Sequence, residues 1–449
     1  MKNHPEPERF ALFADLYELT MMQAYFAEDM LDTAVFSLFV RRLPERRNFL
    51  LACGLDTVLG FLEKIAFSEE DIAYLASTGR FSDGFLARLR DFRFMGDVYA
   101  APEGTPLFAN EPILEVVAPL PQAQLVETFV MNQVHLQTLL ASKAWRVVGA
   151  AQGRPVMDFG ARRIHGVDAA LKAARAFYIG GVSATSNVLA GKRYGLPIAG
   201  TMAHSYIQAH GDEASAFRAF ADHYPDTVLL VDTYDTLTGV RNVVELAKSR
   251  LEGFRIQAIR LDSGDLVALS REARRILDDA GLDKVRILVS GSLQEDRIAE
   301  LVSSGAPIDG FGVGTEMGVS SDAPSLDMVY KLCQYAGRGC LKLSSGKPVL
   351  PGRKQVFRLE EDEQDIRDTI ARDGEEMPGR PLLAQVMKAG KRLGEPTDIG
   401  SIRDYAREQV ARLPARIRGI DTAAPPYPVD VSVALSGFRK ELMERLGSS

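Results

Sequence analysis

The spacing of apolar residues changes along this chain of 449 residues, and the changes mark its parts. Over residues 11–29, Phe13, Leu16, Met21 and Ala24 recur at helical spacing, which predicts an amphipathic helix with Asp15 placed to cap its start. TAVFSLFVRRL then predicts a strand, and GLDTVLGFLEKIAF and SEEDIAYLA two helices. GDVYA and ILEVVAP read as short strands, parted by the PEG and NEP turns. A long helical pattern follows from Gln122 to Val148.

From about residue 154 short apolar runs alternate with helical stretches. The predicted strands are PVMDF, AFYIG, LPIAG, TVLLVD, FRIQAIR, VRILVSG and IDGFGVG. Such alternation belongs to a parallel α/β barrel or a doubly wound sheet, whose strands are covered on both faces. Nearly every run ends in polar or glycine-rich residues: MDFGARR, GGVSATSN, GTMAHS, VDTYDT, RLDSGD, VSGSLQE and GFGVGTEMG. After residue 331 the alternation is lost. YKLCQYAGRGCLKLSS predicts a hairpin with a glycine turn, and the polar remainder ends in the helix VALSGFRKELMERL, expected to pack on the N-terminal part. The domains read from this pattern are residues 1–150, a scaffold and oligomer surface; 151–330, the catalytic α/β part; and 331–449, a C-terminal segment joined to the first.

Composition narrows the function. With 46% hydrophobic and 25% charged residues the chain is globular, and no stretch approaches the ~20 apolar residues of a membrane span. The start, MKNHPEPERF, lacks the apolar core of a secretory signal. Three cysteines outside CxxC spacing argue against a disulfide framework or a zinc site and fit a reducing cytoplasm. A net charge of −7 without a basic tract argues against nucleic acid or an anionic membrane as partner.

The chemistry gathers around RLDSGDL, where a strand ends and a helix begins. Ligands of barrels and open α/β sheets bind at the C-terminal ends of the strands, so Arg260, Asp262 and Asp265 there read as a polar-ligand site. Helix capping explains one of the two aspartates, Ser263 or Asp265 being the capping candidates, and leaves Arg260 and Asp262 over. GFGVGTEMG can cradle a phosphate on backbone N–H groups, or simply close the barrel tightly. His204, just past a strand in GTMAHS, is open to the roles of base, nucleophile or hydrogen-bonded core residue; the spacing of His204 and His210 lacks the pattern of a zinc site. Phe159 near Arg162 and Arg163 suits a flat anion, and Asp232 and Asp235 suit sugar hydroxyls or a magnesium-bound phosphate. Alternatively Phe159 is core and Arg162 pairs with Asp232. Together at one rim, these groups point to a phosphorylated, ribose-like substrate.

DLYELTM, FGARR, GGVSATSNVLAG, GTMAHS, VDTYDT, RLDSGDL and GFGVGTEM stand in the order seen in nicotinate phosphoribosyltransferases, and the chain resembles that family from about residue 12 to about 358. The resemblance implies an irregular parallel α/β barrel of the type II phosphoribosyltransferase kind, with a second α+β domain from the N- and C-terminal segments, in a homodimer with shared active sites. It implies transfer of phosphoribosyl from phosphoribosyl pyrophosphate to nicotinate, coupled to ATP, with Mg2+ arriving on the substrate diphosphate rather than on a protein metal site. It makes His204 the residue phosphorylated by ATP and Arg260 the partner of the pyridine ligand. Phe159 and Tyr17 become its stacking aromatics, Thr201 lies beside the ring, Arg162, Asp232 and Asp262 surround the phosphoribosyl group, and Gly314 and Thr315 hold its 5′-phosphate. By its helical spacing alone, Tyr17 would be a core residue. GGVSATSN departs from the family, with Ser183 and Ala184 where relatives often carry an aspartate.

The residue types agree with that chemistry. Departure of pyrophosphate leaves an oxocarbenium-like centre, and the pyridine nitrogen attacks without losing a proton, so the site must position and neutralise charge rather than supply a strong base. A ring carboxylate favours a bidentate guanidinium, although Arg260 alone does not separate nicotinate from nicotinamide. A nicotinamide or quinolinate phosphoribosyltransferase, and a barrel that binds phosphoribosyl metabolites without catalysis, are the other readings.

Overall fold

The computed structural model describes residues 10–249, 255–343 and 349–447. They form two compact units, one of residues 1–139 with 325–449 and one of residues 140–324. His4 and Phe254, the first residue of the FRIQAIR run, lie outside the described residues.

Unit 140–324 contains six short parallel strands: β1 Val156–Asp158, β2 Ala184–Thr185, β3 Val228–Leu230, β4 Ala258–Leu261, β5 Arg286–Val289 and β6 Gly310–Val313. They lie in the order β2-β1-β6-β5-β4-β3, and a bridge from Thr185 to Ile198 extends the β2 edge. Read around from Ile198, this is a curled barrel order. Among the described residues no ladder joins Ile198 back to β3, so the barrel is open there. The strands are short, apolar and mostly buried because helices cover them, as the helix Leu266–Asp279 does with Leu266, Ser270, Ala273 and Leu277 at helical spacing.

Two predicted strands are not strands. AFYIG ends the helix Val167–Ile179, whose buried face runs from Ala170 to Ile179, and the chain turns at Gly180 and Gly181 into β2. Four apolar residues at the end of a helix, of which Ala176, Phe177 and Ile179 are buried, look in sequence like a buried strand. LPIAG contributes only the Ile198 bridge.

The other unit explains why the termini belong together. Its antiparallel sheet runs Arg338–Gly339, Met328–Tyr335, Thr33–Val40, Pro112–Pro119, Asp97–Ala100, Ala384–Lys388, Lys391–Arg392, so strands from both ends of the chain alternate in one sheet. Tyr330 pairs with Leu38 and stacks on Phe36 at 4.8 Å. The predicted glycine-turn hairpin is present at Ala336 and Gly337, and the C-terminal helix at Val433–Gly447. A second sheet, built on the hairpin of Lys354–Glu361 and Gln364–Arg372, was not expected from the polar sequence there. Arg358, Asp368 and Glu111 are buried inside it. Among the described residues no helix is long and apolar enough to cross a membrane.

Candidate functional site

The polar residues that follow Ile198, β3, β4 and β5 are tied together by hydrogen bonds between loops. Arg260, near the end of β4, donates from Nη1 to Thr201 Oγ1 at 2.5 Å, while its Nε is buried without a protein partner. Burial draws the guanidinium below its ordinary pKa, opposed by Asp262 and Asp232 and reinforced by Arg162. The carboxylates are thus close enough to feel the cation without a direct ion pair to it, which leaves part of its donor fork available.

Asp232 holds the turn after β4. Its Oδ2 accepts from the Asp262 N–H at 2.9 Å and from Ser263 Oγ at 2.8 Å, and its Oδ1 is buried and unpartnered. Ser290, after β5, donates to Asp262 Oδ1. Asp262 Oδ2 faces His204 Nε2 at 3.8 Å, and His204 Nδ1 lies 3.1 Å from Thr233 Oγ1. His204 starts the short helix His204–Ala209 and is half-exposed, so it is not a core histidine. The two ring nitrogens therefore have different surroundings, a hydroxyl on one side and a carboxylate on the other, which is how a tautomer is selected.

Phe159 follows β1 and its ring lies across Gly312 of β6: a Cβ at residue 312 would stand 2.4 Å from Phe159 Cε2. Only glycine lets the ring lie there. Beside it opens a cavity of about 620 Å³, lined by Phe159, Thr201, Ser183, Ala184, Leu288 and Gln257 among others. The family departure at Ser183 and Ala184 thus falls in a cavity that Phe159 and Thr201 also line. The FGARR and GFGVGTEMG turns pack together, a Cβ on Gly160 coming within 3.0 Å of the Gly314 carbonyl. Gly314 precedes the single turn Thr315–Gly318, and Thr315 is exposed. Arg162, on the turn Ala161–Arg163, is exposed and carries no ion pair among the described residues, so the anticipated pairing with Asp232 is absent.

Two aspartates serve the backbone. Asp265 Oδ1 accepts from the Val267 and Ala268 N–H groups, both at 3.1 Å, and Asp235 Oδ1 from Thr238 N at 2.8 Å. Asp265 is thus the helix cap that the sequence allowed, and the substrate role anticipated for it has only its second oxygen to draw on. Ser290 and Thr233 were not singled out in the sequence, although both lie in strand-end motifs; a hydroxyl's partner across the barrel leaves no local spacing. Tyr17 lies in the other unit, on the helix Leu16–Ala27, and is 44% exposed rather than core.

Comparisons with known proteins agree along the chain. Residues 12–135 match the nicotinate phosphoribosyltransferase N-terminal domain, residues 155–355 the nicotinate phosphoribosyltransferase family and residues 377–439 its C-terminal domain. Nicotinate phosphoribosyltransferase of Mycobacterium tuberculosis is 55% identical over 429 residues, covering 95% of this chain and 92% of the relative. The Bacillus subtilis enzyme of the same name is 42% identical, covering 78% and 74%. Human nicotinic acid phosphoribosyltransferase superposes with a TM-score of 0.85 at 28% identity, over 95% of this chain and 99% of that one. With three matched domains in order and a fold that superposes along its length, the chain belongs to the nicotinate phosphoribosyltransferase family.

Proposed function

We propose that this protein transfers the phosphoribosyl group of phosphoribosyl pyrophosphate to nicotinate, forming nicotinate mononucleotide and pyrophosphate in NAD salvage. Family membership supports the reaction, and Arg260 is the observation that carries the substrate. A half-buried guanidinium with an unpartnered Nε, bonded to a Thr201 that lines one cavity with the half-buried Phe159, is suited to a flat carboxylate. Nicotinate stacks on Phe159 with its carboxylate toward Arg260, and Thr201 keeps the guanidinium plane in place. Asp232 and Asp262 face the ribose and diphosphate, Arg162 supplies an exposed positive charge, and the Gly314–Thr315 backbone takes the 5′-phosphate. Tyr17 stacks on the ring from the partner subunit of a homodimer.

The reaction breaks the bond from C1 to the pyrophosphate oxygen and forms one from C1 to the pyridine nitrogen, with no proton transferred. Rate then depends on alignment and on charge placed around C1. Mg2+ comes with the diphosphate of the co-substrate, as the resemblance to the family implies. The unpartnered Asp232 Oδ1 fits a contact to such a cation, which would neutralise the leaving group. His204 takes the γ-phosphoryl of ATP on a ring nitrogen, with ADP leaving, and Thr233 orients the ring. The few cysteines, outside any disulfide spacing in the sequence, are in keeping with a cytoplasmic enzyme.

Product analysis tests the reading. Labelled nicotinate, nicotinamide and quinolinate are each incubated with phosphoribosyl pyrophosphate and Mg2+, with and without ATP. Nicotinate mononucleotide formed from nicotinate, and more of it with ATP, is expected; product from nicotinamide or quinolinate in preference, or no product at all, overturns it.

A further inference from the structure

The turn that carries Tyr17 is held by Thr128, in the first turn of the helix Glu127–Ala150. Burial and then the Glu127 carboxylate nearby hold the Tyr17 hydroxyl protonated. Thr128 reaches Glu18, which follows Tyr17, and Asp15, two residues before it: its N–H donates to Glu18 Oε1 at 3.0 Å, and its Oγ1 lies 2.6 Å from that oxygen and 3.2 Å from Asp15 Oδ2. Asp15 occupies the N-cap position of the helix Leu16–Ala27, yet its side chain caps nothing there and turns to Thr128 instead. Glu18 is fully buried, and its Oε2 has no partner.

Counting protons decides the state of this chain. Thr128 has one hydroxyl proton and two carboxyl oxygens to serve, so with Asp15 and Glu18 both ionised one of the two contacts is a bare oxygen pair. A proton on Glu18 fills both: Glu18 donates to Thr128 Oγ1, and Thr128 donates to Asp15. Burial favours this state most, and the neighbouring Glu127 and Asp15 add to it; against them stand the Thr128 hydroxyl and amide, with the carboxyl pushed up to about 8. Of the other charged groups packed here, Lys331 acts on Glu127, and Tyr17, Tyr25 and Tyr330 have their ionisation held off by burial first and then by the acidic groups around them.

We propose that Glu18 and Thr128 are positioning residues for the nicotinate site, a neutral Glu18 and the Thr128 hydroxyl holding the Asp15–Tyr17 turn so that Tyr17 is presented to the ring. The inference rests on the assignment of Tyr17 to that ring. It also makes ring binding pH-dependent, because ionisation of Glu18 empties one hydrogen bond of the chain and sets two carboxylates against one hydroxyl.

The test is the KM for nicotinate at saturating phosphoribosyl pyrophosphate and ATP, from about pH 6.5 to about pH 9.5, the range that brackets the Glu18 titration, in the wild type, Glu18→Gln, Thr128→Val, Thr128→Ser and Tyr17→Ala. In the wild type KM should rise roughly fivefold through pH 8, the factor worth about one hydrogen bond, with kcat changing less. Glu18→Gln stays neutral and should remove that rise. Thr128→Val should show the raised KM already at neutral pH, and Thr128→Ser should restore it. Thermal melting gives a reading free of activity: the stability due to a carboxyl whose folded pKa is raised is lost as pH climbs toward that value, so Glu18→Gln should gain in Tm on the wild type as pH rises. A wild-type KM profile that Glu18→Gln reproduces, or a normal KM in Thr128→Val, overturns the proposal while Tyr17→Ala still raises KM. A normal KM in Tyr17→Ala overturns instead the assignment of Tyr17, and the proposal with it.

Discussion

His204 Nε2 stands 3.8 Å from Asp262 Oδ2, and the opposite ring nitrogen is 3.1 Å from Thr233 Oγ1. The separation on the Asp262 side exceeds a hydrogen bond, so the imidazole is oriented by the threonine and left with one edge open toward the carboxylate. That arrangement suits a group that receives a phosphoryl and returns it better than it suits a base held on its acid partner.

His204→Ala should therefore abolish the acid-labile, base-stable label acquired from γ-labelled ATP. Because the pyridine nitrogen has no proton to lose, the variant should lose ATP stimulation more completely than ATP-independent transfer. Full ATPase activity coupled to product in the variant would contradict the role.

Gly312 gives way to the Phe159 ring, and an added methyl group would stand 2.4 Å from Cε2 and 2.6 Å from Cδ2. Gly312→Ala must move the ring. If Phe159 stacks on nicotinate, KM for nicotinate should rise by roughly threefold to tenfold, the worth of an aromatic stacking contact, while the 5′-phosphate end is spared. An unchanged KM in a folded variant would return Phe159 to a packing role.

Much of this site could be read from the sequence because parallel strands buried on both faces must be apolar, so the polar residues that interrupt them mark the strand ends. Arg260, Asp262, His204 and Asp232 were found that way, Thr201 only through the family resemblance, and the structure brings the five together at one end of the sheet. Other features depend on contacts that no local pattern records. Ser290 matters through Asp262, and Gly291 because a Cβ there would lie 2.0 Å from the Asp262 carbonyl. The fold was misread where a run is apolar throughout: AFYIG is the end of a helix, and its neighbouring strand, Ala184–Thr185, is too short to show an apolar run. The hairpin of Lys354–Arg372 was hidden by its charge, since Arg358 and Asp368 neutralise each other inside the sheet and read as surface residues in sequence.

The shared-site reading of Tyr17 predicts complementation. Tyr17→Ala and Arg260→Ala homodimers should each be nearly inactive. Exchange of subunits in equal amounts gives about half mixed dimers, each with one intact site, so about a quarter of wild-type activity should return. Properly exchanged subunits that recover nothing would place Tyr17 in the site of its own chain or outside the site altogether.

The most direct measurement of the whole account is equilibrium binding of nicotinate and of nicotinamide to the wild type and to Arg260→Lys, side by side. Lysine keeps the charge but loses the planar fork and the bond to Thr201, so nicotinate should bind on the order of tenfold or more weakly, as expected for a charge-assisted hydrogen bond of roughly 1.5–3 kcal/mol, and nicotinamide much less so. Equal losses for the two ligands would mean that Arg260 serves the phosphoribosyl group or the fold, and that the carboxylate of nicotinate is recognised elsewhere.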